Sequence, residues 1–419
     1  MTNPKLYIDV TQLVHWPGRL TGIPRVMNEL AIRYSNEDKV FLVWSNKAAR
    51  FYEIDILETL KKRGERIEYI KPKRSKASTT LTTLSSTIVY KTVAKNMPGK
   101  RTMRRARGVV ERARLPHVDI KADDILFVLW GEWAERAYIS KLQSLRGNGV
   151  KLVQVAYDLL PILTPQYSGH STESMSTYNA AIMPICSLVL SISESTKKDL
   201  AQWMESRGLK VPRIETFRLG DDFQLSKPRI PNGKNFVNSK LQGKDYILCV
   251  GTIEARKNHT ILYYAYKLAY TRNVKLPKLV IVGRRGWKTD NIYDIMTQDP
   301  QTKNQIVVLT SAGDEELSWL YGNALFSVYP SFYEGWGLPI AESALYGLPC
   351  LCSNTSSIPE IAGDLVQYFN PSSSDECLEG MQRMLDPIQL EKAKKSLGNY
   401  KTTSWDDTFE QVKNYIQEL

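Results

Sequence analysis

The 419-residue chain predicts an α/β protein in which two doubly wound, Rossmann-like sheets face each other across a cleft. Three observations carry that expectation. Apolar, β-rich runs alternate with helical patterns in both halves, which argues for parallel sheets covered by helices. The halves are separated by residues 220–234, a stretch rich in turn formers and bare of periodicity, as an interdomain linker is. The length also exceeds what one ordinary core organises.

Taken in order, residues 5–10 form an opening strand, and Thr21, Gly22 and Pro24 mark the start of a helix with Val26, Met27, Leu30, Ala31 and Tyr34 on one face. Strands over 40–44 and 66–70 flank a helix near 53–62. Alternation resumes with a strand at 124–129, a helix at 138–145, strands at 151–157 and 188–193, a helix at 196–206 and a strand at 214–219. Asp158 and Glu194 fall at strand ends, where open α/β sheets hold their ligands. After the linker come a strand at 246–250, a loop at 251–258, a helix at 260–270 and strands at 279–282, 306–309 and 326–329. The last helix, from Ser404, carries Trp405, Phe409, Val412, Tyr415 and Ile416 on one apolar face and needs a packing partner. The expected division is 1–225, a linker at 226–240, 241–400, and a terminal helix at 401–419.

Composition narrows the function classes. With 42% hydrophobic and 24% charged residues and no apolar run long enough to span a bilayer, the chain reads as soluble. Its first residues do not resemble a secretory signal, which suggests the cytoplasm. Cys186, Cys249, Cys350, Cys352 and Cys377 are scattered and odd in number, as suits reduced buried thiols. The four histidines have no metal-ligand spacing, so neither a metal nor another cofactor is expected. Between Lys71 and Arg114 stand 13 Lys or Arg against Glu111 alone, an excess equal to the whole net charge of +12. With a sparse apolar stripe at Leu81, Leu84 and Ile88, residues 71–116 form a basic insertion, either a peripheral contact with an anionic membrane or a solvated loop. Aromatics are too few there to favour nucleic acid.

The stretch 329–342, Tyr-Pro-Ser-Phe-Tyr-Glu-Gly-Trp-Gly-Leu-Pro-Ile-Ala-Glu, places a strand end, a glycine loop and a proline-started helix in succession. Gly335 and Gly337 allow a sharp turn and close approach to a ligand, and the helix start from Pro339 offers free N–H groups to an anion.

Set beside Gly251-Thr-Ile-Glu-Ala-Arg-Lys257, the run Glu334-Gly-Trp-Gly-Leu-Pro-Ile-Ala-Glu342 resembles the nucleotide-sugar site of the family 4 glycosyltransferases, retaining enzymes of the GT-B fold. Further likeness lies in residues 21–26, 157–161, 193–200 and 356–360. The resemblance implies that Glu342 binds the ribose, and that Glu334 with the backbone of Gly335, Trp336, Gly337 and Leu338 holds sugar and diphosphate. It implies that Arg256 and Lys257 grip the diphosphate beside Gly251, that Gly22 makes a second anion-binding turn, and that Tyr157 and Asp158 orient sugar or acceptor. It implies too that the last helix crosses back to the first domain. Two positions depart from the family pattern: Thr252 replaces an arginine, and Tyr157 replaces a histidine and cannot act as a base at neutral pH. The expected activity is transfer of a hexose or deoxyhexose, with a lean to GDP-mannose, to a lipid-linked cell-surface glycan. The alternatives are a polyanion- or membrane-binding adaptor, and an epimerase or phosphorylase of the same architecture.

Overall fold

A computed structural model of the protein describes residues 4–61 except 17, 19 and 38, residues 118–222 except 170, residue 241, and residues 244–419 except 287 and 288. The expected strand at 66–70, the basic segment 71–116 and the linker 226–240 lie outside these described residues.

The first half folds around a seven-stranded sheet of order β3-β2-β1-β4-β5-β6-β7. Its strands are β1 (Leu6–Asp9), β2 (Val40–Ser45), β3 (Arg50–Ile54), β4 (Ile125–Val128), β5 (Lys151–Ala156), β6 (Leu188–Ser191) and β7 (Ile214–Thr216). All neighbours run parallel except β2 and β3. The second half is a fully parallel six-stranded sheet of order β10-β9-β8-β11-β12-β13. Here the strands are β8 (Tyr246–Val250), β9 (Lys278–Val282), β10 (Ile306–Leu309), β11 (Phe326–Tyr329), β12 (Cys350–Ser353) and β13 (Gln367–Phe369). β1, β6, β11 and β12 are buried along their whole length, as strands covered by helices on both faces are. All five cysteines are free and buried, as the sequence suggests, with Cys249, Cys350 and Cys352 in strands.

One element differs from expectation. The segment read as a helix over 53–62 begins as β3, and only Ile56–Lys61 is helical. Ala49, at φ 51°, turns the chain so that Phe51 and Tyr52 pair antiparallel with Trp44 and Val43. Burial of Phe51, Tyr52 and Ile54 overrides the helical preference of Glu53. The final helix, Trp405–Gln417, packs against the helix Ile23–Tyr34 of the first half, with Phe409 edge-on to Tyr34 at 4.7 Å between centroids. Arg33 pairs with Asp406 at 2.7 Å, and Lys413 with Glu37 at 2.6 Å. Asp221, fully buried, receives the Tyr400 hydroxyl and the Thr403 N–H, while Asp222 caps the Trp405 N–H at 2.8 Å. The end of the first half is thereby fastened to the end of the chain.

Candidate active site

In the second sheet, connections leave β8 toward β9 on one side and return to β11 on the other, so the order reverses between β8 and β11. Loops leaving the carboxyl ends of two such strands diverge and open a crevice. Residues 251–258 follow β8, and residues 330–337 follow β11. Arg256, Lys257 and Glu334 meet where these loops touch.

Glu334 is only 7% exposed. Its Oε2 lies 2.5 Å from Arg256 Nη1, and its Oε1 lies 2.7 Å from Lys257 Nζ. The Tyr329 hydroxyl, which accepts from Lys257 at 2.5 Å, donates to the same Oε1 at 2.9 Å. Burial would raise the Glu334 carboxyl, but the charges of Arg256 and Lys257 outweigh it and hold the group at about 2. Burial pulls the Lys257 ammonium below its ordinary value, and Glu334 opposes that. Arg256 also binds Glu254 at 2.7 Å and the Tyr333 carbonyl at 2.9 Å. The loop itself is pinned from behind: Ser356 accepts the Glu334 N–H at 2.8 Å, and the Ser357 hydroxyl donates to the carbonyls of Glu334 and Trp336, each at 2.9 Å. Two cations are thus fixed before any ligand arrives, which is what stabilising charge on a leaving phosphate oxygen requires.

Glu342 sits on the helix Leu338–Leu345 and accepts from the Tyr321 hydroxyl at 2.7 Å. Burial raises its carboxyl, while the charges of Arg25 and Lys257 pull the other way. Arg25 belongs to the first turn of the helix capped by Gly22, so the Gly22 turn of the first half faces the Glu342 helix of the second. Gly22 is needed for its φ of 61°, since a Cβ there would meet nothing within 4 Å.

Gly335 also lies close against the first domain. A Cβ on it would come within 2.3 Å of the Tyr157 carbonyl and 3.2 Å of the Asp158 side chain, so its close approach is to the first domain's β5 end. Asp158 Oδ1 caps the short helix Leu160–Leu163 by accepting the Leu160 N–H at 3.1 Å. The Tyr157 hydroxyl is buried without a hydrogen-bond partner, and its ring lies 6.1 Å from that of Trp130. The Trp336 ring is buried in the core beneath Arg218, leaving main-chain groups as that residue's means of contact. A Cβ on Gly251 would lie 3.7 Å from the Lys257 side chain, Gly337 precedes the helix, and Leu338 is its first residue and partly buried. Among the described residues no three His, Cys, Asp or Glu side chains are grouped to hold a metal ion.

Residues 233–402, which include all of these loop residues of the second half, match the family described as Glycosyl transferases group 1. This segment belongs to the glycosyl transferases group 1 family. The chain is 35% identical over 236 residues to O-antigen chain mannosyltransferase B of Escherichia coli, covering 55% of this chain and 61% of that protein. It is 25% identical over 255 residues to the Escherichia coli serotype-specific mannosyltransferase WbdA, covering 59% of this chain and 31% of that one. The chain therefore spans less than two thirds of the length of these relatives. Among solved structures, Alr3699/HepE of Anabaena, in complex with UDP and glucose, superposes over the whole of both chains with a TM-score of 0.63 at 14% identity. A glycosyltransferase from Rickettsia africae gives 0.61 at 13%, covering 100% of this chain and 99% of that one. The fold is GT-B, with two parallel-sheet α/β domains.

The glycosyl transferases group 1 segment also holds residues that the sequence reading missed, all of them bonded to the first domain. Phe332 stacks on Tyr167 at 5.0 Å, and Tyr333 donates to Asp199 at 2.6 Å. Glu360 accepts the N–H groups of Glu194 and Ser195, each at 2.7 Å, capping the helix Glu194–Glu205. That helix begins with Ser193 as its cap, a signal visible in the sequence; the partner 165 residues away was not.

Proposed function

We propose that the protein is a retaining, metal-independent glycosyltransferase that moves mannose from GDP-mannose to a lipid-linked glycan at the cytoplasmic face of the membrane, in O-antigen or related polysaccharide synthesis. The observation that carries this reading is the Arg256–Glu334–Lys257 cluster at the switch point of the second sheet, with the neighbouring Gly335 close against Tyr157 and Asp158 of the first. Both relatives are mannosyltransferases, which favours mannose as the sugar.

In the reaction the bond between the sugar's anomeric carbon and the diphosphate oxygen breaks, and the acceptor oxygen bonds to that carbon on the same face. The acceptor's proton passes to the departing phosphate oxygen, and the nucleoside diphosphate leaves. Arg256 and Lys257 supply the positive charge that offsets the developing phosphate charge. Glu334 fixes the two cations and orients the sugar, Glu342 takes the ribose hydroxyls, and the main chain of residues 335–338 lies along the diphosphate.

The test is thermal unfolding of the full chain with GDP, UDP or dTDP, followed by transfer from GDP-mannose with and without EDTA. A ligand at about 100 times its Kd adds about 2.7 kcal/mol of stability, so binding is readily seen. GDP is expected to raise the melting temperature, Lys257→Met to shrink that rise, EDTA to leave turnover intact, and NMR to find the product with the donor's anomeric configuration. No rise with any nucleoside diphosphate would overturn the reading.

A further inference from the structure

The charge cluster of the second domain contains a second carboxylate, Glu254, which stands just before the short turn Ala255–Lys257 that carries both cations. Its Oε1 lies 2.7 Å from Arg256 Nη2, while Glu334 holds Nη1 of the same guanidinium at 2.5 Å. Arg256 and Lys257 are thus balanced by two carboxylates in contact with them. The two are held unequally. The Glu334 side chain is 8% exposed and is gripped by Arg256, Lys257 and the Tyr329 hydroxyl. The Glu254 side chain is 26% exposed and, among the described residues, is bonded to Arg256 alone. Its main chain is fastened separately: the Glu254 carbonyl accepts the Lys257 N–H at 3.0 Å, and Ile253 before it is bonded to Arg284 and Gly286. The Glu254 side chain can therefore leave Arg256 without undoing the turn. Nε of Arg256 is buried and, among the described residues, has no hydrogen-bond partner.

Nε–H and Nη2 lie on one edge of a planar guanidinium, the edge that carboxylates and phosphates grip with two parallel hydrogen bonds. Glu254 uses only Nη2 and leaves Nε–H buried and unmatched, which is costly for a donor taken out of water. A phosphate, with several oxygens, can accept from both. Charge points the same way. A diphosphate is multiply anionic, and a cluster whose cations are already matched by carboxylates attracts it weakly, whereas without Glu254 two cations face one carboxylate. We propose that Glu254 is a placeholder for the donor's diphosphate, holding the Nη2 edge of Arg256 and yielding it to a phosphate oxygen while Glu334 keeps the other edge. Glu254 is then a positioning residue that acts through Arg256. This inference rests on the transferase reading and adds to it how the site exchanges one anion for another: as the nucleoside diphosphate leaves, Glu254 takes back the same N–H group and competes against its return.

The test is isothermal titration calorimetry of the full chain with GDP and UDP, with guanosine and uridine as uncharged controls, and with inorganic pyrophosphate. Glu254→Gln keeps the side chain's shape and removes its charge. It is expected to bind the preferred nucleoside diphosphate and pyrophosphate about 3- to 10-fold more tightly than wild type, and the nucleosides no differently. Glu254→Ala is expected to move the affinities in the same direction, and circular dichroism reports that each variant is folded. A nucleoside diphosphate bound by wild type and no more tightly by either folded variant overturns the exchange and leaves the transferase reading standing. An equal gain for the nucleosides also overturns the exchange, since a change confined to anion competition leaves them untouched. Tighter pyrophosphate binding in the variants of a protein that binds no nucleoside diphosphate supports the exchange and removes the transferase reading. No binding of pyrophosphate or of either diphosphate by any of the three proteins overturns both.

Discussion

Replacing Glu334 with Gln keeps the side chain's shape and removes its charge, leaving Arg256 and Lys257 facing each other in a buried loop. The carboxyl is held at about 2 against an ordinary 4.5, and at about 1.4 kcal/mol per pH unit that difference is worth about 3 kcal/mol of folding stability at pH 7. For a domain of this size such a loss lowers the melting temperature by roughly 6–12 °C. Because the folded value is depressed, the contribution is fully present above pH 4.5 and is lost as pH falls toward 2. Melting curves of wild type and Glu334→Gln, followed by circular dichroism from pH 7 to pH 3, are therefore expected to differ most near neutrality and to converge in acid. Equal stability at pH 7, or a gap that persists unchanged at pH 3, would refute the account of Glu334 as the anion that fixes the two cations.

Two further perturbations address how the loop meets the first domain. Gly335→Ala puts a methyl group where the Tyr157 carbonyl stands, forcing the loop and the β5 end apart; a displacement of about 1 Å in a positioned site costs on the order of 100-fold in rate, so transfer is expected to fall far more than GDP binding. Comparable losses in both measurements would count against this contact's acting through alignment. Glu360→Ala removes the cap on the helix Glu194–Glu205, a loss of about 1 kcal/mol by the usual worth of a cap, and is expected to increase the radius of gyration measured by X-ray scattering. An unchanged radius would show that Glu360 does not hold the two domains together.

The two-sheet architecture was legible because buried parallel strands announce themselves as short apolar runs, and β1, β5, β6, β8, β9, β10 and β11 fall within or close to the expected segments. β3 was not, since an antiparallel edge strand with Glu53 at its centre resembles a helix until its partner β2 is known. The site loops could be read from glycine, proline and charge spacing, which are local. Their use could not. Nothing near Gly335 in the sequence indicates that its neighbour is the carbonyl of Tyr157, and nothing in Tyr157 indicates that its hydroxyl is buried.

Strand order explains why the loop 330–337 bears so many contacts with the first domain. Within seven residues, Phe332, Tyr333 and Gly335 touch Tyr167, Asp199 and the β5 end, while Tyr329 and Glu334 bind the cations of the neighbouring loop. A ligand that draws Arg256 or Lys257 toward a phosphate pulls on Glu334, and the side chains of Phe332 and Tyr333 just before it reach across the cleft, with Gly335 just after it against the β5 end. Anion binding and domain approach therefore act on one short segment of backbone. The expected consequence is that variants weakening the cross-domain contacts lose transfer before they lose affinity for a nucleoside diphosphate, because the charge cluster is built wholly from the second domain's loops whereas alignment with the first domain is not.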